Sequence, residues 1–108
     1  MKNKLIDYIN SENADRFVYN TASLKVTSGN NYEEVYSQLL DFAKATAAEE
    51  NCIEFFFAPS VIEKGEFMLW EVWGNMEAFD KHMTQPHTTE ILSRNVIELQ
   101  WNKLASWK

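Results

Sequence analysis

Residues 52–73 read CIEFFFAPSVIEKGEFMLWEVW, and this stretch decides the fold. Its halves, Cys52-Ile-Glu-Phe-Phe-Phe-Ala58 and Phe67-Met-Leu-Trp-Glu-Val-Trp73, are short and aromatic. Pro59 and a turn around Lys64-Gly65 separate them, which predicts an antiparallel hairpin. Side chains alternate across a strand, so Phe55, Phe57, Leu69 and Trp73 fall on one side, with Phe56, Met68, Trp70 and Val72 on the other. Both faces are apolar and need cover. Helices on one side and a second subunit on the other are the natural arrangement.

Upstream, Val18, Ala22, Leu24 and Val26 lie on one face of an alternating pattern from Arg16 to Val26, which predicts a first strand. Ser28-Gly-Asn-Asn makes a turn, and Asn31 with Glu34 three residues on resembles a capping box. Val35, Leu39, Phe42, Ala43 and Thr46 then trace the stripe of a helix from Tyr32 to Glu49. Downstream, Gly74-Asn75 closes the hairpin's second strand. Ala78, Phe79, His82 and Met83 share one face of a short helix, with Glu77 and Lys81 paired toward solvent. Pro86 suits the first turn of another helix, whose stripe Thr88, Ile91, Leu92, Asn95, Val96 and Leu99 carries it toward a last strand at Lys103–Trp107. The order is β-α-β-β-α-β, a ferredoxin-like α+β fold with an antiparallel sheet. Leu5, Tyr8 and Ile9 predict a short helix in an N-terminal extension, residues 1–15, ahead of the main domain at 16–108.

With 108 residues the chain forms one domain, small enough for a partner subunit to add usefully to its burial. A net charge of −6, with Arg16 and Arg94 the only arginines and no basic run, argues against nucleic-acid binding. No segment approaches the roughly 20 apolar residues of a membrane span. Cys52 is the one cysteine, so no disulfide forms within the chain, and a cytoplasmic protein is expected. Its acidic neighbours Glu49, Glu50 and Glu54 raise a thiol's pKa and argue against a nucleophile.

The two histidines, His82 and His87, follow closely on Glu71, a carboxylate between Leu69 and Trp73 on its strand face. An ionisable group in so apolar a setting needs a partner, whether its role is chemical or structural. His82 reads equally as a core histidine bonded to the sheet, and His87 as a helix-start residue. Because the two are five residues apart they do not share a helical face as i, i+4 metal ligands do, so no metal site is expected.

Glu71-x-Trp73, Glu77-Ala78-Phe79 and His82-x-x-x-Pro86-His87, with Ala48-Glu49 and Cys52-Ile53 ahead of strand two, resemble the antibiotic biosynthesis monooxygenase (ABM) family. The likeness runs from about Val18 to Trp107. It implies a homodimeric α+β barrel and an oxygenase that takes dioxygen and a quinol-like or polycyclic aromatic substrate, with no metal or flavin cofactor. His82, Glu71 and His87 are then the catalytic candidates. Trp73, Phe79, Phe55, Phe57, Phe67, Leu69 and Asn20 are the candidate substrate-binding residues. Other members of the family act on a phosphorylated signal molecule or degrade haem. An isomerase acting on a small polar or phosphorylated metabolite, a haem-binding protein and a non-catalytic ligand-binding dimer therefore stay open. Three departures stand out, one of them the extra N-terminal helix expected within residues 1–15. Glu50-Asn51 replaces the family's Pro-Gly before strand two, and Ala22 stands where haem-degrading relatives carry an Asn, leaving Asn20 two residues away to replace it.

Overall fold

The structure, a computed structural model, describes residues 9, 10 and 12–106. Most of the expected N-terminal helix and Trp107 lie outside the described residues. A short 3-10 turn at Ala14–Arg16 leads into β1 (Val18–Val26). There follow α1 (Tyr32–Ala47), β2 (Cys52–Pro59), β3 (Glu66–Trp73), α2 (Met76–His82), α3 (Pro86–Ser93) and β4 (Ile97–Ser106). The sheet order is β2-β3-β1-β4 with every neighbouring pair antiparallel, so the fold is the ferredoxin-like α+β arrangement. Among the described residues, no helix is long and apolar enough to cross a membrane.

Local chemistry explains the elements. Asn31 caps α1 by accepting the Glu34 backbone N–H at 3.0 Å, a contact worth about 1 kcal/mol. Asn75 does the same for α2 through the Ala78 N–H at 2.8 Å. Gly65, at φ 72°, takes the left-handed conformation that closes the β2–β3 turn. The Tyr32 hydroxyl donates to the Glu66 carbonyl at 2.7 Å, and its ring stacks on Phe67 at 4.2 Å, so the start of α1 is tied to the start of β3. Leu39, Val35, Val18, Phe67 and Trp73 are almost wholly buried between helices and sheet.

The third helix is shorter than its apolar spacing suggests. The stripe was read through Leu99, yet α3 ends at Ser93 and β4 begins at Ile97 rather than Lys103. Asn95 sits at φ 53°, a left-handed residue that stops the helix. The Thr27 hydroxyl and N–H then bond the Asn95 and Val96 carbonyls. From there β4 pairs with the full length of β1, so ladder hydrogen bonds override a local pattern that both periods fit. A bulge opposite Ser23 and Leu24 lets Gln100 stand out of register, where it accepts the Ser23 hydroxyl at 2.7 Å. On α2 the buried residues are Ala78 and His82, while Met83, grouped with them from the sequence, is largely exposed.

Candidate functional site

The turn joining α1 to β2 carries Glu49, and its backbone is fixed at two points. Asn51 adopts φ 64°, the conformation a glycine would take, which is how the chain makes this turn without the family's Pro-Gly. The Gly74 N–H at the end of β3 donates to the Asn51 carbonyl at 2.8 Å. A Cβ on Gly74 would come within 3.1 Å of the Asn51 amide oxygen, so the close approach depends on glycine there.

On this clamped turn Glu49 meets both histidines. Its Oε2 lies 2.8 Å from His82 Nδ1 and 2.6 Å from His87 Nε2. An ionised carboxylate only accepts, so the ring nitrogen each histidine turns to it carries a hydrogen, and in a neutral ring the lone pair falls on the other nitrogen, His87 Nδ1 or His82 Nε2. Exposure is graded across the three side chains: 4% for His82, 11% for Glu49 and 26% for His87. The His82 ring is held by Trp73 at 4.9 Å, Phe55 at 5.3 Å and Phe42 at 5.7 Å, and Phe42 also touches His87 at 5.8 Å. The Thr88 hydroxyl is 3.4 Å from His82 Nδ1.

A second polar cluster lies on the helix-facing side of the sheet. Buried Glu71 accepts from Asn20 Nδ2 at 2.9 Å through one oxygen and from the Trp73 indole N–H at 2.7 Å through the other. Asn102 Nδ2 in turn donates to the Asn20 side-chain Oδ1 at 3.3 Å. Glu71, a catalytic candidate in the sequence, is thus satisfied by Asn20 and Trp73, and His82 bonds Glu49. Trp73 joins the clusters, with its N–H on Glu71 and its ring against His82.

A cavity of about 510 Å³ opens beside the first cluster. Its wall includes Glu49, Glu50, Glu77, Lys81, Gln85 and His87. Glu77 and Lys81, expected to face solvent as a pair, thus border a concave site. Among the described residues, none of the nominated aromatic groups lines this cavity. Phe67 is wholly buried against Tyr32 and Tyr36, and Phe57 packs near Phe42 and Phe55. Phe79 and Leu69 are half-buried at the edge of the core.

Glu49 is the residue that sequence reasoning passed over as a site group. A signal existed, because a carboxylate just past the C-terminus of a helix faces the negative end of the helix dipole and needs compensation from elsewhere. The two histidines supply it.

A ferredoxin-like sheet with a His-Glu-His cluster beside a polar cavity defines a small α+β protein with titratable groups gathered at one end of its helical layer. The antibiotic biosynthesis monooxygenase family model matches residues 17–94, and the chain belongs to that family. The protein YjcS of Bacillus subtilis (strain 168) is 34% identical over 83 residues, covering 77% of this chain and 79% of that protein. A solved structure of protein YjcS superposes with a TM-score of 0.79 at 31% identity, covering 83% of this chain and 97% of that one. SnoaB, described as a cofactor-independent oxygenase from Streptomyces nogalater, shares the fold at 15% identity and a TM-score of 0.72, covering 86% and 94%.

Proposed function

We propose that the chain is a monooxygenase of a small, electron-rich, quinol-like molecule and works without metal or flavin. His87 takes the substrate's proton and Glu49 and His82 support it. The observation that carries this reading is the convergence of both histidines on one oxygen of Glu49 at the wall of the cavity. Glu49 stabilises the imidazolium that forms on His87, and buried His82 fixes the carboxylate. Such a positioned base is worth about 10²–10⁴ in rate. With an anthrone, the base removes one C–H proton and the carbanion passes one electron to dioxygen. Radical and superoxide combine to a hydroperoxide, which loses water to leave a carbonyl, so CH₂ and O₂ become C=O and H₂O. SnoaB, with the same fold, is described as an oxygenase of this cofactor-free kind. Glu71, with both oxygens occupied, acts in this scheme by holding Trp73 against His82.

The test is oxygen uptake by chelator-treated protein with an anthrone and with menadiol. Uptake above the uncatalysed rate that collapses in His87→Ala is expected; no uptake with either substrate would sink the oxygenase reading. A second reading follows from the carboxylate-rich, polar wall of the cavity: enolisation of a small polar metabolite by the same base. It predicts exchange of a substrate C–H for deuterium without oxygen consumption. Glu49, Glu50 and Glu77 against Lys81 alone make that wall a poor one for a phosphate.

The helix-free face of the sheet supports a homodimer. Phe56 and Trp101, on outer strands β2 and β4, are about half exposed there, and Met68 and Trp70 between them are only partly covered. A second copy of the chain would bury this face. Sedimentation equilibrium should return twice the chain mass; a monomer at micromolar concentration would count against it.

A further inference from the structure

We infer that Glu49, His82 and His87 form a binding site for a divalent transition-metal ion, one ion per chain. The potential ligand atoms, His82 Nδ1, His87 Nε2 and a Glu49 carboxylate oxygen, all lie within 4.8 Å of one another. The spacing that argued against such a site in the sequence is irrelevant in the fold. His82 ends α2, His87 lies in the first turn of α3, and the two helices bring their rings to one point beside the α1–β2 turn.

Two imidazoles and one carboxylate are a donor set suited to zinc, cobalt or ferrous iron, and a poor one for magnesium or calcium, which prefer oxygen ligands. Metal–ligand bonds of about 2.0–2.1 Å place neighbouring tetrahedral ligands about 3.3 Å apart. The present contacts of 2.8 and 2.6 Å are hydrogen bonds. An ion that replaced their hydrogens would push Glu49 back by roughly half an ångström or a little more. Glu49 and His87, the most open of the three side chains at 26%, are the members able to give, and they must shift together because the donor atoms now span up to 4.8 Å. His82 is packed by Trp73, Phe55 and Phe42, and Phe42 also lies against His87.

Electrostatics favour the cation too, since Glu50 and Glu77 join Glu49 on the cavity wall against one lysine, Lys81. Glu49 and His87 border the open cavity, so water or a small donor ligand can reach an ion held there and complete its coordination. An ion on His87 Nε2 displaces the hydrogen there, and the neutral ring then carries its one hydrogen on Nδ1, the atom that would otherwise accept the substrate's proton. A bound metal therefore withdraws His87 from service as a base, whichever substrate the cavity takes.

Calorimetric titration of the chelator-treated full chain with Zn²⁺, paired with the visible spectrum on adding Co²⁺, tests the site without any turnover. One ion per chain is expected, with the intense Co²⁺ bands of a four- or five-coordinate nitrogen-bound ion and no response to Mg²⁺. His87→Ala and Glu49→Gln should each weaken binding by more than the ~10–100-fold typical of losing a group behind a ligand. Should His87→Ala not fold, His87→Phe keeps the ring volume and removes both nitrogens. Absence of Zn²⁺ and Co²⁺ binding, or binding undiminished by either substitution, would overturn the inference. A failed oxygen-uptake assay would leave it untouched.

Discussion

Truncating Trp73 to alanine is expected to lower the free energy of unfolding by about 3–5 kcal/mol, the range for removing a large aromatic side chain from a packed core. Trp73 is wholly buried, with Phe55 at 6.4 Å and His82 at 4.9 Å. Total stabilities are about 5–15 kcal/mol, so the variant keeps only a fraction of its margin. The loss has a polar part as well. The indole N–H satisfies one oxygen of buried Glu71, and an acceptor stranded in a core costs about 1–3 kcal/mol. Trp73→Phe isolates that part by keeping most of the volume. Adding Glu71→Leu in that background removes the stranded acceptor but strands the buried Asn20 Nδ2 in its place, so little of the loss should return. Urea melts of the four proteins check this. A Trp73→Ala cost below about 2 kcal/mol would mean that the ring is not packed as described.

Glu49→Gln is expected to reduce kcat/KM by about 10²–10⁴ while leaving the fold intact. Glutamine keeps the shape and one acceptor oxygen but loses the charge that stabilises an imidazolium on His87. Groups that act as one unit are not additive. The double variant Glu49→Gln/His87→Ala should therefore be no slower than the worse single. Independent multiplication of the two losses would show that Glu49 and His87 serve different steps. His82→Ala is a positioning test, since its ring bonds Glu49 and packs 6.2 Å from the His87 ring. There the pH–rate profile should change shape along with the rate, a result that simple loss of packing does not give.

The hairpin from Cys52 to Trp73 was legible because its alternation, aromatic content and bounding turn agree with one another. The capped start of α1 was legible because Asn31 acts on a neighbour three residues away. Strand β4 was misplaced because Val96 and Leu99 continue a helical stripe that α3 begins, and Ile97, Leu99 and Trp101 fit a strand equally well. What decides between them is pairing with β1, far back in the chain, as at Ala22 and Asn102, which local periodicity cannot express. The site divides in the same way. His82 and Glu71 drew notice as polar groups in apolar settings, and both are buried. Their partners were not legible, since Glu49 lies 33 residues from His82 and Asn20 lies 51 from Glu71.

The ring of Phe42, set against both imidazoles, gives the protein its own spectroscopic probe. Two histidines in the whole chain mean two sets of imidazole carbon-bound proton resonances, with no third imidazole among them. His82, surrounded by the rings of Trp73, Phe55 and Phe42, should be displaced strongly by their ring currents, whereas half-open His87 feels Phe42 with less company. A proton NMR spectrum thus assigns the pair by inspection. Any occupant of the cavity announces itself first on the His87 signals, before a substrate is known or a reaction observed.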